Sequence, residues 1–236
     1  MAMSQTQVVT GTSPRAIAPA WHTAIVVLIM LGYSILGSRT GNLARAPAHG
    51  RVAGYVLAII VESAAAGFVW YGVRRRGIRL SELVGGKWLR PIAVLRDFGI
   101  AVGFLLIATP VLSGLGYLLK AAPNQAVRNI YPQGPLEIIV YLLLVLTAGF
   151  CEELIFRGYL QRQFAALTHA AIGGIVLQGI VFGASHGYQG WKYMLIITVF
   201  GIMFGLLAHW RRSLRPGIIA HVLQDGVGGL LGRYLH

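Results

Sequence analysis

Three short polar clusters stand inside otherwise apolar stretches of this 236-residue chain. The first is Cys151-Glu152-Glu153-Leu154-Ile155-Phe156-Arg157-Gly158. Adjacent residues on a helix point about 100° apart, so Glu152 and Glu153 serve different faces. Glu153 and Arg157 are four apart and can pair. That divides the labour: Glu153 with Arg157 reads as structural support, and Glu152 is left free to act as a base in a dry cavity. The second cluster is Phe182-Gly183-Ala184-Ser185-His186, with Phe182 and His186 on one face. The third is His221-Val222-Leu223-Gln224-Asp225, again with its polar residues four apart. There an Asp can fix the histidine tautomer, or both groups can turn to a common ligand.

Glu152 and His186 together are enough to activate a water, one taking its proton while the other holds or polarises it. His221 with Asp225 would stabilise the developing oxyanion, given a proton to donate. The same groups are acceptable Zn²⁺ ligands, so Glu152, His186 and His221 form the expected set if a metal is used. The spacing does not match H-E-x-x-H. Each cluster alone has a plainer meaning: acids solvated at a helix end, an interfacial histidine, a His–Asp pair gluing two helices.

The chain has only seven acidic residues: Glu62, Glu82, Asp97, Glu137, Glu152, Glu153 and Asp225. An ionisable group at membrane depth costs about 2.5–3.5 kcal/mol on insertion scales, which makes such groups functional candidates. Glu62 stands alone with no motif around it, and reads as a buried acid paired within the bundle. Cys151 reads as a buried thiol without a base in hydrogen-bond reach, and so as a small hydrophobe. His169 and His209 fall near the ends of apolar runs and read as interfacial.

The elements that must position these groups follow from composition. Charged residues are 11% of the chain and hydrophobic ones 56%. An ordinary soluble domain carries about 25% charged residues. Disorder and a disulfide scaffold are both excluded, the latter by a single cysteine. A polytopic bundle of transmembrane helices remains, an all-α fold. Seven spans are expected, near Trp21–Leu36, Val52–Val73, Phe98–Leu119, Leu136–Phe156, Ala170–His186, Tyr193–Trp210 and Pro216–Leu231. Residues 1–19 read as a disordered tail, 20–135 as N-terminal helices, and 136–236 as the catalytic helical core. The first span reads as uncleaved rather than as a signal peptide, despite a weak Ala44-Arg45-Ala46, because only Arg15 precedes it.

The net charge of +13 is distributed against a nucleic-acid partner. Basic residues cluster where apolar runs stop, as in Arg74, Arg75, Arg76, Arg79, Lys87, Arg90 and Arg96. Thirteen of the 20 Lys and Arg fall on one side of the expected spans and seven on the other. By the positive-inside rule the richer side, with the N-terminus, is cytoplasmic. A multi-pass protein of the cell membrane is expected.

The three clusters in order resemble the CPBP family of intramembrane proteases, also called the Abi or type II CAAX prenyl endopeptidase family. Its pattern is E-E-x-x-x-R, F-x-x-x-H, then H-x-x-x-N or H-x-x-x-D. Here these look like Glu152-Glu153 with Arg157, Phe182 with His186, and His221 with Asp225. The resemblance covers roughly residues 136–232 and implies hydrolysis of a peptide bond within the membrane. Glu152 and His186 would activate water, and His221 and Asp225 would form the oxyanion site or complete a metal site, possible metal use being Zn. The implied partners are a peptide or protein substrate and the lipid bilayer; the pattern sets no oligomeric state. Asp225 is distinctive, since an Asn can donate to an oxyanion and an ionised Asp cannot.

Two other classes share these features: a proton- or ion-coupled transporter using the acids as a relay, and a catalytically silent immunity-type membrane protein. The expected spans also carry a conflict. Glu152 lies about 24 Å along a fourth span that starts at Leu136, near its far end. His186 closes a fifth span that starts at Ala170, which puts it at the opposite face. With these boundaries the two groups cannot share one water.

Overall fold

The computed structural model describes residues 14–40, 48–86, 90–122, 125–232 and 234. Most of the tail, Lys87 and the Ala44-Arg45-Ala46 stretch lie outside them. The described residues form helices and no strands, as the composition requires. The order is α1 (Ala20–Thr40), α2 (Ala48–Arg74), α3 (Leu80–Val84), α4 (Pro91–Leu118), α5 (Gln125–Arg128), α6 (Pro135–Glu152), a π-helical segment Glu153–Leu160, α7 (Gln161–Thr168), α8 (Ala171–Ser185), a 3₁₀ turn Gly187–Gln189, α9 (Trp191–Arg211) and α10 (Arg215–Gly232). Helices α4 and α6 open on Pro91 and Pro135, whose missing N–H costs nothing in a first turn.

A helix stands at each of the seven expected places. Four stretches are long and apolar enough to cross a bilayer by length and composition: Gly50–Arg74, Pro91–Leu118, Pro135–Thr168 and Trp191–Arg211. The apolar part of α1 and the whole of α8 are shorter.

The fourth expected span was drawn too short. Helix does not end at Phe156 but runs on through the π-helical segment to Thr168, 34 residues from Pro135. The turn at His169–Ala170 follows, and α8 returns beside α7. Glu152 to Thr168 and Ala171 to His186 are then two nearly equal arms of one hairpin. His186 comes back to the level of Glu152, and the conflict over depth disappears. Ring contacts confirm the register: Phe156, four residues after Glu152, meets Phe182, four before His186, edge to face at 4.9 Å.

The sequence around Phe156 looked like a span end because Glu152, Glu153, Arg157, Gln161, Arg162 and Gln163 are polar. Inside the bundle most of these find protein partners instead of headgroups. Gln163 Oε1 accepts from the backbone N–H groups of Ile17 and Ala18 at 2.6 and 3.2 Å, tying the chain before α1 to α7. Tyr159 donates to His22 Nδ1 at 2.7 Å, while His22 Nε2–H donates to the Phe68 carbonyl at 3.1 Å. Gln161 Nε2 donates to the Gly205 carbonyl at 3.1 Å. All eight residues of the π-helical segment are buried, at the centre of the largest core cluster.

Candidate active site

The π-helical segment widens the helix exactly where its first acids stand. The Gln161 N–H reaches the Phe156 carbonyl, five residues back. Such segments occur preferentially at functional positions. Glu153 and Arg157 pair across this turn at 2.8 Å, both side chains 0% exposed. The guanidinium is also held between two aromatic faces, 4.3 Å above Phe182 and 4.8 Å above Phe204.

Glu153 does more than support Arg157. Its Oε1 also lies 3.3 Å from His221 Nδ1, so that the ring donates Nδ1–H to the carboxylate. This fixes the His221 tautomer and turns Nε2 toward the other acids. Nε2 stands 3.7 Å from Glu152 Oε2 and 3.6 Å from Asp225 Oδ2. The close approach of α10 depends on Gly217, one turn before His221, where a Cβ would lie 2.8 Å from Glu153 Oε2.

His186 enters from the end of α8. Its Nδ1 lies 2.9 Å from the Phe182 carbonyl, which can only accept, so Nδ1 carries the proton and Nε2 keeps its lone pair. The Phe182 ring lies 4.9 Å from His186 and 6.2 Å from His221. The phenylalanine of the second motif is thus the spacer against which both imidazoles rest. His186 lies within electrostatic reach of Asp225. The structure brings Glu152, His221 and Asp225 into direct proximity, with His186 across Phe182. Asp225 is 40% exposed and marks the mouth; Glu152 is 14% exposed and lies deeper.

Two groups that the motifs do not contain join the site. Glu62 on α2 was set aside as a solitary buried acid, yet its charged neighbours are Glu152, His221 and Asp225. It is 6% exposed, and its Oε2 accepts no hydrogen bond. Only its place in an apolar span could have pointed to it. Tyr188, in the 3₁₀ turn after His186, has its ring 6.1 Å from that imidazole. Burial pushes its phenol up to about 12, so the hydroxyl keeps its proton at ordinary pH. Cys151 is buried against α2 and lines a groove of about 490 Å³ with Ser63, Trp70, Leu146, Phe150 and Leu154.

Among the described residues no three His, Cys, Asp or Glu side chains converge on one metal position. The His221 nitrogens lie 3.3–3.7 Å from the carboxylate oxygens of Glu153, Glu152 and Asp225, separations that two donors sharing one Zn²⁺ at about 2.0–2.2 Å each would also show. The arrangement as it stands is one of acids and bases in hydrogen-bonding and electrostatic relation.

Residues 134–227 match the family model described as Type II CAAX prenyl endopeptidase Rce1-like. A Bacillus subtilis (strain 168) protein described as Uncharacterized protein YpbD is 27% identical over 111 residues. That alignment takes 46% of this chain and 53% of the other, so the chain spans about half the length of this curated relative. No solved structure matches.

Proposed function

We infer that this membrane protein, whose residues 134–227 belong to the CPBP family, is an intramembrane endopeptidase that hydrolyses a peptide bond of a membrane-associated protein or peptide. The observation that carries the reading is the cluster on His221: Glu153 at Nδ1, and Glu152 and Asp225 at Nε2, gathered within an apolar bundle.

In the proposed reaction a water lies between Glu152 and His186. Glu152 takes one proton from it, and the His186 Nε2 lone pair accepts a hydrogen bond from the other O–H. The water oxygen bonds to the scissile carbonyl carbon, and the carbonyl electron pair moves onto oxygen. Glu152 then returns its proton to the peptide nitrogen as the C–N bond breaks. Glu153 and Arg157 do not touch the reacting atoms; they hold His221. The groove beside Cys151, lined by Ser63, Leu146, Phe150 and Leu154 between α2 and α6, would take an apolar stretch of substrate.

Glu152→Gln keeps size and polarity and removes the base. Membrane proteomes of cells carrying the native chain and cells carrying Glu152→Gln should differ by a precursor that accumulates in the variant. Identical proteomes at equal expression would exclude the endopeptidase reading. The scheme uses protein groups alone, so dialysis against a chelator should leave cleavage unchanged. A rate lost to chelation and restored by Zn²⁺ would instead make Glu152, His186 and His221 ligands.

A further inference from the structure

A tetrahedral intermediate needs a hydrogen-bond donor at its oxyanion, and such a donor is worth about 10²–10³ in rate. The motif residues of this chain are poor candidates. An ionised Asp225 has nothing to donate. His186 Nδ1–H is committed to the Phe182 carbonyl at 2.9 Å, and the Ser185 hydroxyl to the same oxygen at 2.7 Å. His221 Nδ1–H goes to Glu153, and its Nε2 is shared between Glu152 and Asp225 at 3.7 and 3.6 Å, so a proton there is drawn to two carboxylates before it can serve a substrate oxygen. The Arg157 guanidinium is fully enclosed between Phe182 and Phe204.

Tyr188 has the missing capacity. Its hydroxyl accepts a hydrogen bond from Gln189 Nε2 at 3.0 Å, which occupies a lone pair and leaves the O–H to donate. Its ring lies 6.1 Å from the His186 imidazole, so the phenol stands beside the histidine that holds the water in the scheme above. Its side chain is only half-buried, which lets a substrate reach it. The backbone that carries it is pinned. Gln189 N–H donates to the His186 carbonyl and Gly190 N–H to the Gly187 carbonyl, each at 2.9 Å. At Gly187 the turn fits between α1 and α9, where a Cβ would lie 3.0 Å from Ser34 Oγ and 3.4 Å from Met194 Sδ. A donor fixed in this way needs little reorganisation as the substrate oxygen gains charge.

We propose that Tyr188 is a further catalytic residue of this site, donating its phenolic O–H to the scissile carbonyl oxygen as the oxyanion forms. The proton stays on the tyrosine; the only covalent changes are those of the hydrolysis above, on whose reading this assignment rests. The position that carries Asn in part of the family carries Asp225 here, and the donor comes from the turn after the second motif.

The test uses the full chain in proteoliposomes, with the precursor identified through Glu152→Gln as substrate. Tyr188→Phe removes one oxygen. Its kcat should fall about 10²–10³-fold, with KM within about threefold of native. Tyr188→His, which retains an N–H donor, should exceed Tyr188→Phe by about tenfold when both are matched for folded fraction by thermal unfolding. A Tyr188→Phe kcat within about threefold of native, a change confined to KM, or equal rates for the two variants would each overturn the assignment and leave the endopeptidase reading standing. Absence of any precursor in Glu152→Gln cells would overturn both.

Discussion

Glu153 is the hinge of the site at the scale of single residues, because one carboxylate serves a guanidinium and an imidazole. Its pairing with Arg157 is fully buried, so neither partner can be removed alone without stranding a charge. Arg157→Met should destabilise the chain by about 3–5 kcal/mol, read as a fall in the thermal unfolding midpoint in detergent. Adding Glu153→Gln should recover much of that loss, since both charges then leave together. A double variant no more stable than Arg157→Met would show that packing against Phe182 and Phe204, not charge, dominates. Asp225 lies at the mouth with its side chain 40% exposed, so Asp225→Asn should keep the fold and retain cleavage. Because the amide adds a donor, Tyr188→Phe should cost less in the Asp225→Asn background than in the native one. The polar residues of the three motifs were legible from type and spacing. The second contact of Glu153, to His221, was not, because it joins segments 68 residues apart. The burial of Glu62 was legible but its neighbours were not, since they lie on other helices and no local spacing announces them.

Helix α8 sets the position of His186, and it does so by lying against α9 with almost nothing between them. At Gly183 a Cβ would fall 1.9 Å from Thr198 Oγ1 and 2.5 Å from the Met194 carbonyl oxygen. A hydroxyl can rotate away, but a backbone carbonyl one helix over cannot. Gly183→Ala should therefore force the two helices apart, cost about 1–3 kcal/mol and reduce cleavage by moving His186. Gly99, whose added Cβ would meet nothing within 4 Å, is the matched control: Gly99→Ala should leave both the unfolding midpoint and cleavage near native. The existence of these helices was readable from apolar runs alone. Their ends were not. Polar residues after Glu152 mimic a membrane interface, and only the tertiary partners of Tyr159, Gln161 and Gln163 show that the helix continues. An error of three helical turns at one boundary was enough to place Glu152 and His186 on opposite faces.

The whole molecule has two chemically different ends. At one, Arg162 donates to the Glu82 and Leu83 carbonyls, Ser213 to the Val84 carbonyl, and Asp97 pairs with Arg96 and Arg215 at 3.3 and 3.2 Å. These contacts bind the start of α7 and the C-terminal end of α9 to α3 and to the starts of α4 and α10. At the other end Arg51 pairs with Glu137 at 2.9 Å, Lys192 donates to the Lys120 carbonyl and Tyr193 to the Ala122 carbonyl. By the positive-inside rule the arginine-rich end is expected to face the cytoplasm. The turn that carries Tyr188 leads directly into Trp191 and Lys192, so the mouth of the site faces the opposite end. Cysteine labelling reads this directly, in a chain whose Cys151 is replaced by Ala. In intact cells a membrane-impermeant maleimide should modify Gln133→Cys and spare Arg76→Cys, with the reverse in inside-out vesicles. Tyr188→Cys should follow Gln133→Cys. Labelling of Tyr188→Cys from the Arg76 side would mean that water enters from the arginine-rich end, and the substrate bond would then have to be sought at the cytoplasmic surface.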